Sequence, residues 1–337
     1  MVHLTRRSAL LAAAALAAAG CTRSNDRPST DTVRMTTGAS TITDFDDYVA
    51  DALGLYDRHG VTVDRIETQT AAQSVQLLAT GDADIGRGLP NAIQARGRTA
   101  GQLDFVSVAD PMLRPPFVMV TSGPTDWDAL RGTKVGVSSV TDQTTVVTAG
   151  ALKQLDVPAG DVELIPAGGT GSRLAALDAG GIDASLLLPP VNFEAEPLGL
   201  REMSYLPTDL GEKWQFSFTA LLTSETWAGR NDELLIRFLQ ARDDALRWLA
   251  DSSNADQAAD ILAEYTDTEI GEAEKTYELV YGSEVASFAD RIAVSPKAAE
   301  GAFTGLEATD LYTSADTTVE DVTEDTYAAE ARRRNDT

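Results

Sequence analysis

Residues 78–84 read Leu-Ala-Thr-Gly-Asp-Ala-Asp (LATGDAD), and residues 177–183 read Leu-Asp-Ala-Gly-Gly-Ile-Asp (LDAGGID). In both, a leucine on the core face of a helix precedes a glycine able to take the left-handed conformation that ends the helix, and an aspartate opens the next strand. Two such stretches about a hundred residues apart mark an internal duplication. Outward from the first, apolar periodicity predicts a strand at 33–37, a helix at 44–58, a strand at 61–66, a helix at 72–80 and a strand at 83–86. The series returns as strand 134–138, helix 143–155, strand 162–166, helix 172–179 and strand 184–188. Alternation of this kind implies an α/β fold of two similar, doubly wound lobes, each with a mostly parallel sheet covered on both faces.

Open sheets of this class bind ligands outside the carboxyl ends of their strands. The loops 38–43, 87–91, 139–142 and 189–193 are therefore predicted to face one shared cleft. In the first copy Ser40, Thr41 and Thr43 supply hydroxyls there; in the second, Ser138, Ser139, Thr141 and Thr144 do so at a helix N-terminus, which suits an anionic or strongly polar group. Each is equally readable as a helix cap, as is Asp142. Pro189 and Pro190 fix their loop, and Asn192 offers a donor and an acceptor. Arg87 follows the third strand between Gly86 and Gly88, where the backbone can approach a ligand and a guanidinium could bind two oxygens; the alternative is a surface ion pair. Trp214 is the aromatic best placed to stack on a ligand, whereas Trp127, Trp227 and Trp248 read as core.

The first twenty residues, with Arg6-Arg7 ahead of a short apolar run, read as an export signal of twin-arginine type. Leu16 to Cys21 resembles a lipobox, so Cys21, the only cysteine, is read as lipidated, with residues 21–32 as a flexible tether. The chain has 52 acidic and 27 basic residues, a formal net charge of -25, and only five lysines. Nucleic acid is thereby an unfavourable partner, and the acidic surface suits high salt. No nucleophile or zinc set can be assembled from one cysteine and two histidines, His3 and His59, the latter read as a solvated turn residue. The GGTG run at 168–171 lacks a phosphate-loop lysine and reads as an ordinary turn. The pairs Asp46-Asp47 and Asp243-Asp244 read as solvated helix faces. No cofactor is expected, and the chain is not read as an enzyme.

Six phrases in order, ALGLYDRHGVTVD (52–64), LLATGDADIG (77–86), PFVMVTSG (116–123), DALRGTKVGV (128–137), LDAGGIDASLLLPP (177–190) and WAGRNDELLIRFLQARDDALRWL (227–249), resemble the type II periplasmic substrate-binding proteins of ABC importers, in their sulfonate, nitrate and thiamine-precursor branch. The resemblance implies two chain crossings, near Pro116 and Ser217. Lobe I is then 33–116 with 218–330, and lobe II is 117–217. It also implies a monomer that captures a small polar or anionic solute in its cleft and hands it to an ABC permease, held at the outer face of the membrane by lipid. A tethered sensor domain would have the same fold. A pyrimidine-synthase-like enzyme, another relative, would need iron, histidine and a cysteine-rich motif. The apolar spacing of Leu234, Leu235, Phe238, Leu239, Ala245, Leu246 and Leu249 predicts an amphipathic helix over the first lobe, and the final AEARRRNDT reads as frayed. Replacing Cys21 with Ser should move the protein from the membrane to the soluble fraction on cell fractionation, with its circular dichroism unchanged; an unchanged membrane fraction overturns the lipobox reading.

Overall fold

Each copy of the repeat builds its own sheet in the computed structural model, which describes residues 31–38, 41–99, 102–157, 159–309 and 317–337. The export signal, Cys21 and most of the tether read from the sequence lie outside these residues, as does Ser40. The first copy runs β1 (Thr32–Thr37), α1 (Phe45–Ala52), α2 (Leu55–Arg58), β2 (Thr62–Glu67), α3 (Ala71–Thr80), β3 (Gly86–Arg87), α4 (Leu89–Arg98) and β4 (Phe105–Ala109). The expected helix over 44–58 is broken where Gly54 turns left-handed at φ 62°. The second copy runs β5 (Val118–Thr121), β6 (Lys134–Val137), α5 (Gln143–Gln154), β7 (Glu163–Pro166), α6 (Thr170–Asp178), β8 (Ala184–Leu187), β9 (Arg201–Tyr205) and α7 (Leu206–Leu210). The chain then returns through β10 (Leu221–Ser224), α8 (Glu225–Arg230), α9 (Asp232–Ala250), α10 (Ala255–Thr266), α11 (Ile270–Tyr277), α12 (Pro296–Glu307) and α13 (Thr326–Asn335).

The second sheet has the order β7-β6-β8-β5-β9, with β5 antiparallel to both neighbours. The first repeats that plan. Its β2-β1 pair meets a β3-β10-β4 trio through the parallel Met35–Ile85 bridge, with Thr36 N–H donating to Ile85 O at 2.9 Å. Strand β10, antiparallel to β3 and β4, takes in the first sheet the place of β5 in the second. The glycines singled out by the repeat end their helices as expected, Gly81 at φ 73° and Gly180 at φ 69°.

Helix α9 buries Leu234, Leu235, Phe238, Leu239, Ala245, Leu246 and Leu249, the stripe read from the sequence. It also buries charge. Arg242 is 2% exposed, and its Nε donates to Asp46 Oδ2 at 2.7 Å; Asp47 takes Arg65 Nε at 2.8 Å and the Tyr56 hydroxyl at 2.7 Å. Burial pushes the Asp46 carboxyl up, against Arg242; at Asp47 the pull of Arg242, Arg65 and Tyr56 outweighs burial and holds the carboxyl below its ordinary value. Asp243 is likewise buried, between Arg291 and Asn335. The two aspartate pairs are thus not simple solvated faces: Asp46, Asp47 and Asp243 each meet an arginine from elsewhere in the chain. His59, expected in solvent, contacts Asp244 at 2.9 Å.

The carboxyl end is not frayed. Ala328 and Ala331 of α13 are fully buried against neighbouring elements, Asn335 Nδ2 donates to Gln240 O, and Arg334 pairs with Glu233. Two small residues and a set of ion pairs hold this helix, which an apolar period could not reveal. Helix α12 packs on both α5 and α4, and Gly305 lies so close to α5 that a Cβ there would stand 2.8 Å from Val146 O.

Where the chain leaves β4, Asp110 joins three segments. It accepts hydrogen bonds from Ser217 Oγ on the return crossing and, at 2.9 Å, from the backbone N–H of Ser295, the residue that caps α12. Asp110 is fully buried, and burial pushes its carboxyl up to about 6, with the Asp325 charge adding to the rise and the two hydrogen bonds opposing it. Its native pKa lies above the ordinary 3.8, so the folded state holds more protons between those values and the contribution of this group to stability falls as pH rises from 3.8 to about 6. The destabilisation caused by Asp110→Asn, measured by urea unfolding, should therefore be smaller at pH 7 than at pH 4.5; the same value at both overturns the assignment. Arg242→Ala, which strands Asp46 and takes one of two arginines from Asp47, should cost about 3–5 kcal/mol in the same assay.

Candidate functional site

A cavity of about 400 Å³ lies between the two repeats. One wall comes from the first copy: Gly38, Thr41, Thr43, Thr68, Gln69, Thr70, Ala71, Ser74 and Arg87. The facing wall comes from the second: Ser138, Asp142, Gln143, Thr144, Gly169, Thr170, Gly171, Ser172, Arg173, Leu188 and Val191. Phe117, Phe218 and Thr219, from the two crossings, complete the lining, and the phenylalanine rings meet edge to face at 5.2 Å.

Parallel strands bring helix N-termini to the same edge of each sheet. Those of α3, α5 and α6 all open at this cavity, as the lining residues 70–71, 143–144 and 170–172 show. The backbone N–H groups at each of these termini together amount to roughly half a positive charge. Each wall adds a buried guanidinium.

Arg87 is 9% exposed and pairs through Nη1 with Asp44 Oδ1 at 2.5 Å. Asp44 is anchored in turn by the Gly38 N–H at 3.1 Å; burial raises its carboxyl and Arg87 opposes that rise. A Cβ on Gly38 would stand 2.7 Å from Arg87 Nη2, so the bare glycine makes room for the guanidinium beside the cavity. In the other wall Arg173, 2% exposed, donates to Ser185 Oγ (3.1 Å), Gly168 O (2.7 Å), Leu186 O (3.1 Å) and Thr170 Oγ1 (3.3 Å), all neutral groups. Burial lowers its pKa to about 10, with Asp142 the carboxylate whose charge opposes the fall. The Oδ2 of Asp142 accepts from Ser138 Oγ at 2.7 Å.

The residues singled out in the sequence divide into three groups. Thr41, Arg87 and Ser138 line the cavity, as do Thr43 and Thr144. Arg87 is neither a surface side chain nor a free one, because Asp44 shares it. Thr141 and Pro189 instead link the walls by backbone: Thr141 O accepts from Asn91 Nδ2 (3.2 Å) and Gln94 Nε2 (3.4 Å), and Pro189 O accepts from Ile42 N–H (3.4 Å). The others serve local structure. Ser139 O accepts from Thr145 Oγ1, and Asn192 is fully buried with Nδ2 donating to Glu202 Oε1. Gly88, at φ 97°, lets α4 start against Ala71, where any Cβ would collide at 2.5 Å. Trp214 does not stack at the cavity: it is 5% exposed and lies in the core beside Phe216, so the aromatic lining falls to Phe117 and Phe218.

Sequence reasoning passed over the turns that follow the second strand of each copy, 68–71 and 169–173. In a parallel sheet these leave on the same edge as the first and third strands. GGTG, read as an ordinary turn, is part of the wall. Arg173 carried a usable signal as the only basic residue between Lys153 and Arg201. The register that aligns Leu78 with Leu177 also aligns Ser74 with Arg173 and Arg87 with Leu186. Ser74 Oγ accepts from Arg87 N–H at 2.7 Å, and Arg173 donates to Leu186 O, so one helix-to-strand contact recurs with different chemistry in each copy.

The model of the family described as NMT1/THI5 like matches residues 45–255, more than half of the chain. No protein of curated function matches the sequence. Among solved structures, the fold is similar to the periplasmic nitrate-binding protein NrtA of Synechocystis PCC 6803 (TM-score 0.73, 13% identity, covering 90% of this chain and 89% of that one). It is also similar to the alkanesulfonate-binding protein SsuA of Xanthomonas axonopodis pv. citri bound to MOPS (0.69, 16%, 88% and 99%) and to the desulfurization enzyme DSZB (0.63, 16%, 90% and 99%). At these identities the likeness is one of fold.

Proposed function

Because the chain belongs to the NMT1/THI5-like family, we propose that it is an extracytoplasmic solute-binding lipoprotein, held to the outer face of the membrane through Cys21, that captures a small anionic or strongly polar solute for an ABC permease. The observation that carries this reading is a cavity between the two repeats with one buried arginine in each wall and three helix N-termini at its edge. Preorganised N–H groups and guanidinium forks suit the oxygens of a sulfonate, carboxylate or similar group. The lining contains no cysteine or histidine that could serve as a nucleophile or a redox ligand, which favours capture over chemistry. That distinguishes this reading from the enzymatic one the desulfurization neighbour invites.

Binding and closure belong together. Lobe II, residues 117–217, moves against 33–116 with 218–330, and the contacts Asn91–Thr141, Gln94–Thr141 and Ile42–Pro189 form as the walls meet. Only the closed state places both arginines around one solute, and that state is the one a permease would recognise. Native mass spectrometry of the gently purified mature protein should release a small anion or zwitterion. With the solute so identified, Arg87→Ala should weaken binding at least tenfold by calorimetry, about 2 kcal/mol for a lost charge-assisted contact. Unchanged affinity returns Arg87 to a purely structural pair with Asp44.

A further inference from the structure

The charges around the cavity nearly cancel, which bare anion capture does not require. Arg87 and Arg173 would present two full positive charges if they stood alone. Asp44, 1% exposed, is locked against Arg87 by the Gly38 N–H, and Asp142, 4% exposed, is locked by Ser138 Oγ in the wall that carries Arg173. All four residues are buried, none more than 9% exposed, so solvent does little to screen one from another. What remains to attract a solute is mainly the partial charge of the α3, α5 and α6 N-termini.

This residue of attraction discriminates by charge. The cost of taking an ion out of water rises with the square of its charge, whereas its attraction to fixed charges and dipoles rises only linearly. For one negative charge the helix termini and the free guanidinium donors can outweigh desolvation. A second charge quadruples the cost and only doubles the attraction, and both carboxylates then act on it as like charges. We propose that Asp44 and Asp142 are built-in counter-ions that determine specificity, admitting solutes with a single negative charge and rejecting doubly charged oxyanions of the same size. The inference rests on the anion-binding reading given above and assigns roles to two residues that reading does not need.

Methanesulfonate and sulfate are suitable probes because they share a tetrahedral shape and differ mainly in charge. Calorimetric titration at pH 8 and fixed ionic strength should show the mature protein favouring methanesulfonate at least tenfold. Asp44→Asn, which keeps the shape and the oxygen that accepts from Gly38, should gain sulfate affinity at least tenfold and change methanesulfonate affinity much less. Asp142→Asn provides the same test from the other wall if the first variant does not fold, as judged by circular dichroism. Equal binding of both anions by the unaltered protein overturns the charge filter and leaves the anion site standing. Folded variants that still reject sulfate also overturn it. If the unaltered protein binds neither probe nor any other anion, the anion-binding reading itself falls, and the filter with it.

Discussion

Three carboxylates within four residues, Asp44, Asp46 and Asp47, are buried where α1 begins, and each is matched by an arginine delivered from a different element. An unmatched buried carboxylate costs several kcal/mol, so these pairings constrain the whole first lobe. Arg65 ties α1 to β2, Arg242 ties it to α9, and Arg87 ties it to β3 and the cavity edge. The framework and the binding wall therefore share one electrostatic network. A change at Arg242 alters the surroundings of Asp47, whose charge in turn acts on Asp44.

The two walls solve the same problem differently. In the first copy the cation stands on the strand and is neutralised by direct contact. In the second it stands on the helix, and its hydrogen bonds run to hydroxyl and carbonyl oxygens. The first arrangement fixes a guanidinium by a direct ion pair; the second holds it by several neutral acceptors, with the Asp142 charge acting on it without direct contact.

Much of the architecture was legible because the duplication repeats its punctuation. LATGDAD and LDAGGID fix the ends of two helices and the starts of two strands, and parallel order then follows from the alternation. Arg87, Thr41 and Ser138 could be placed at the cleft by the carboxyl-edge rule alone. Asp44 could not, because its importance arises from a partner 43 residues away, and one sequence without that pairing shows only another aspartate in an acidic chain. Trp214 misled for a related reason: aromatic character near a crossing is visible in sequence, but the direction in which the ring turns depends on what packs around it. Phe117 and Phe218 stand where the chain passes from one sheet to the other, yet they read simply as apolar residues of the adjoining strands.

The placement of β10 between β3 and β4 bears on how the chain acquires its structure during synthesis. All five strands of the second sheet lie within residues 118–205, so that sheet has every strand it needs once Tyr205 is available. The first sheet has a gap at its centre until Leu221–Ser224 arrives, more than a hundred residues after β4 was made. Until then both β3 and β4 present an open edge, the feature by which partly made chains pair with the wrong strand. The later-encoded sheet is thus the first that can be completed.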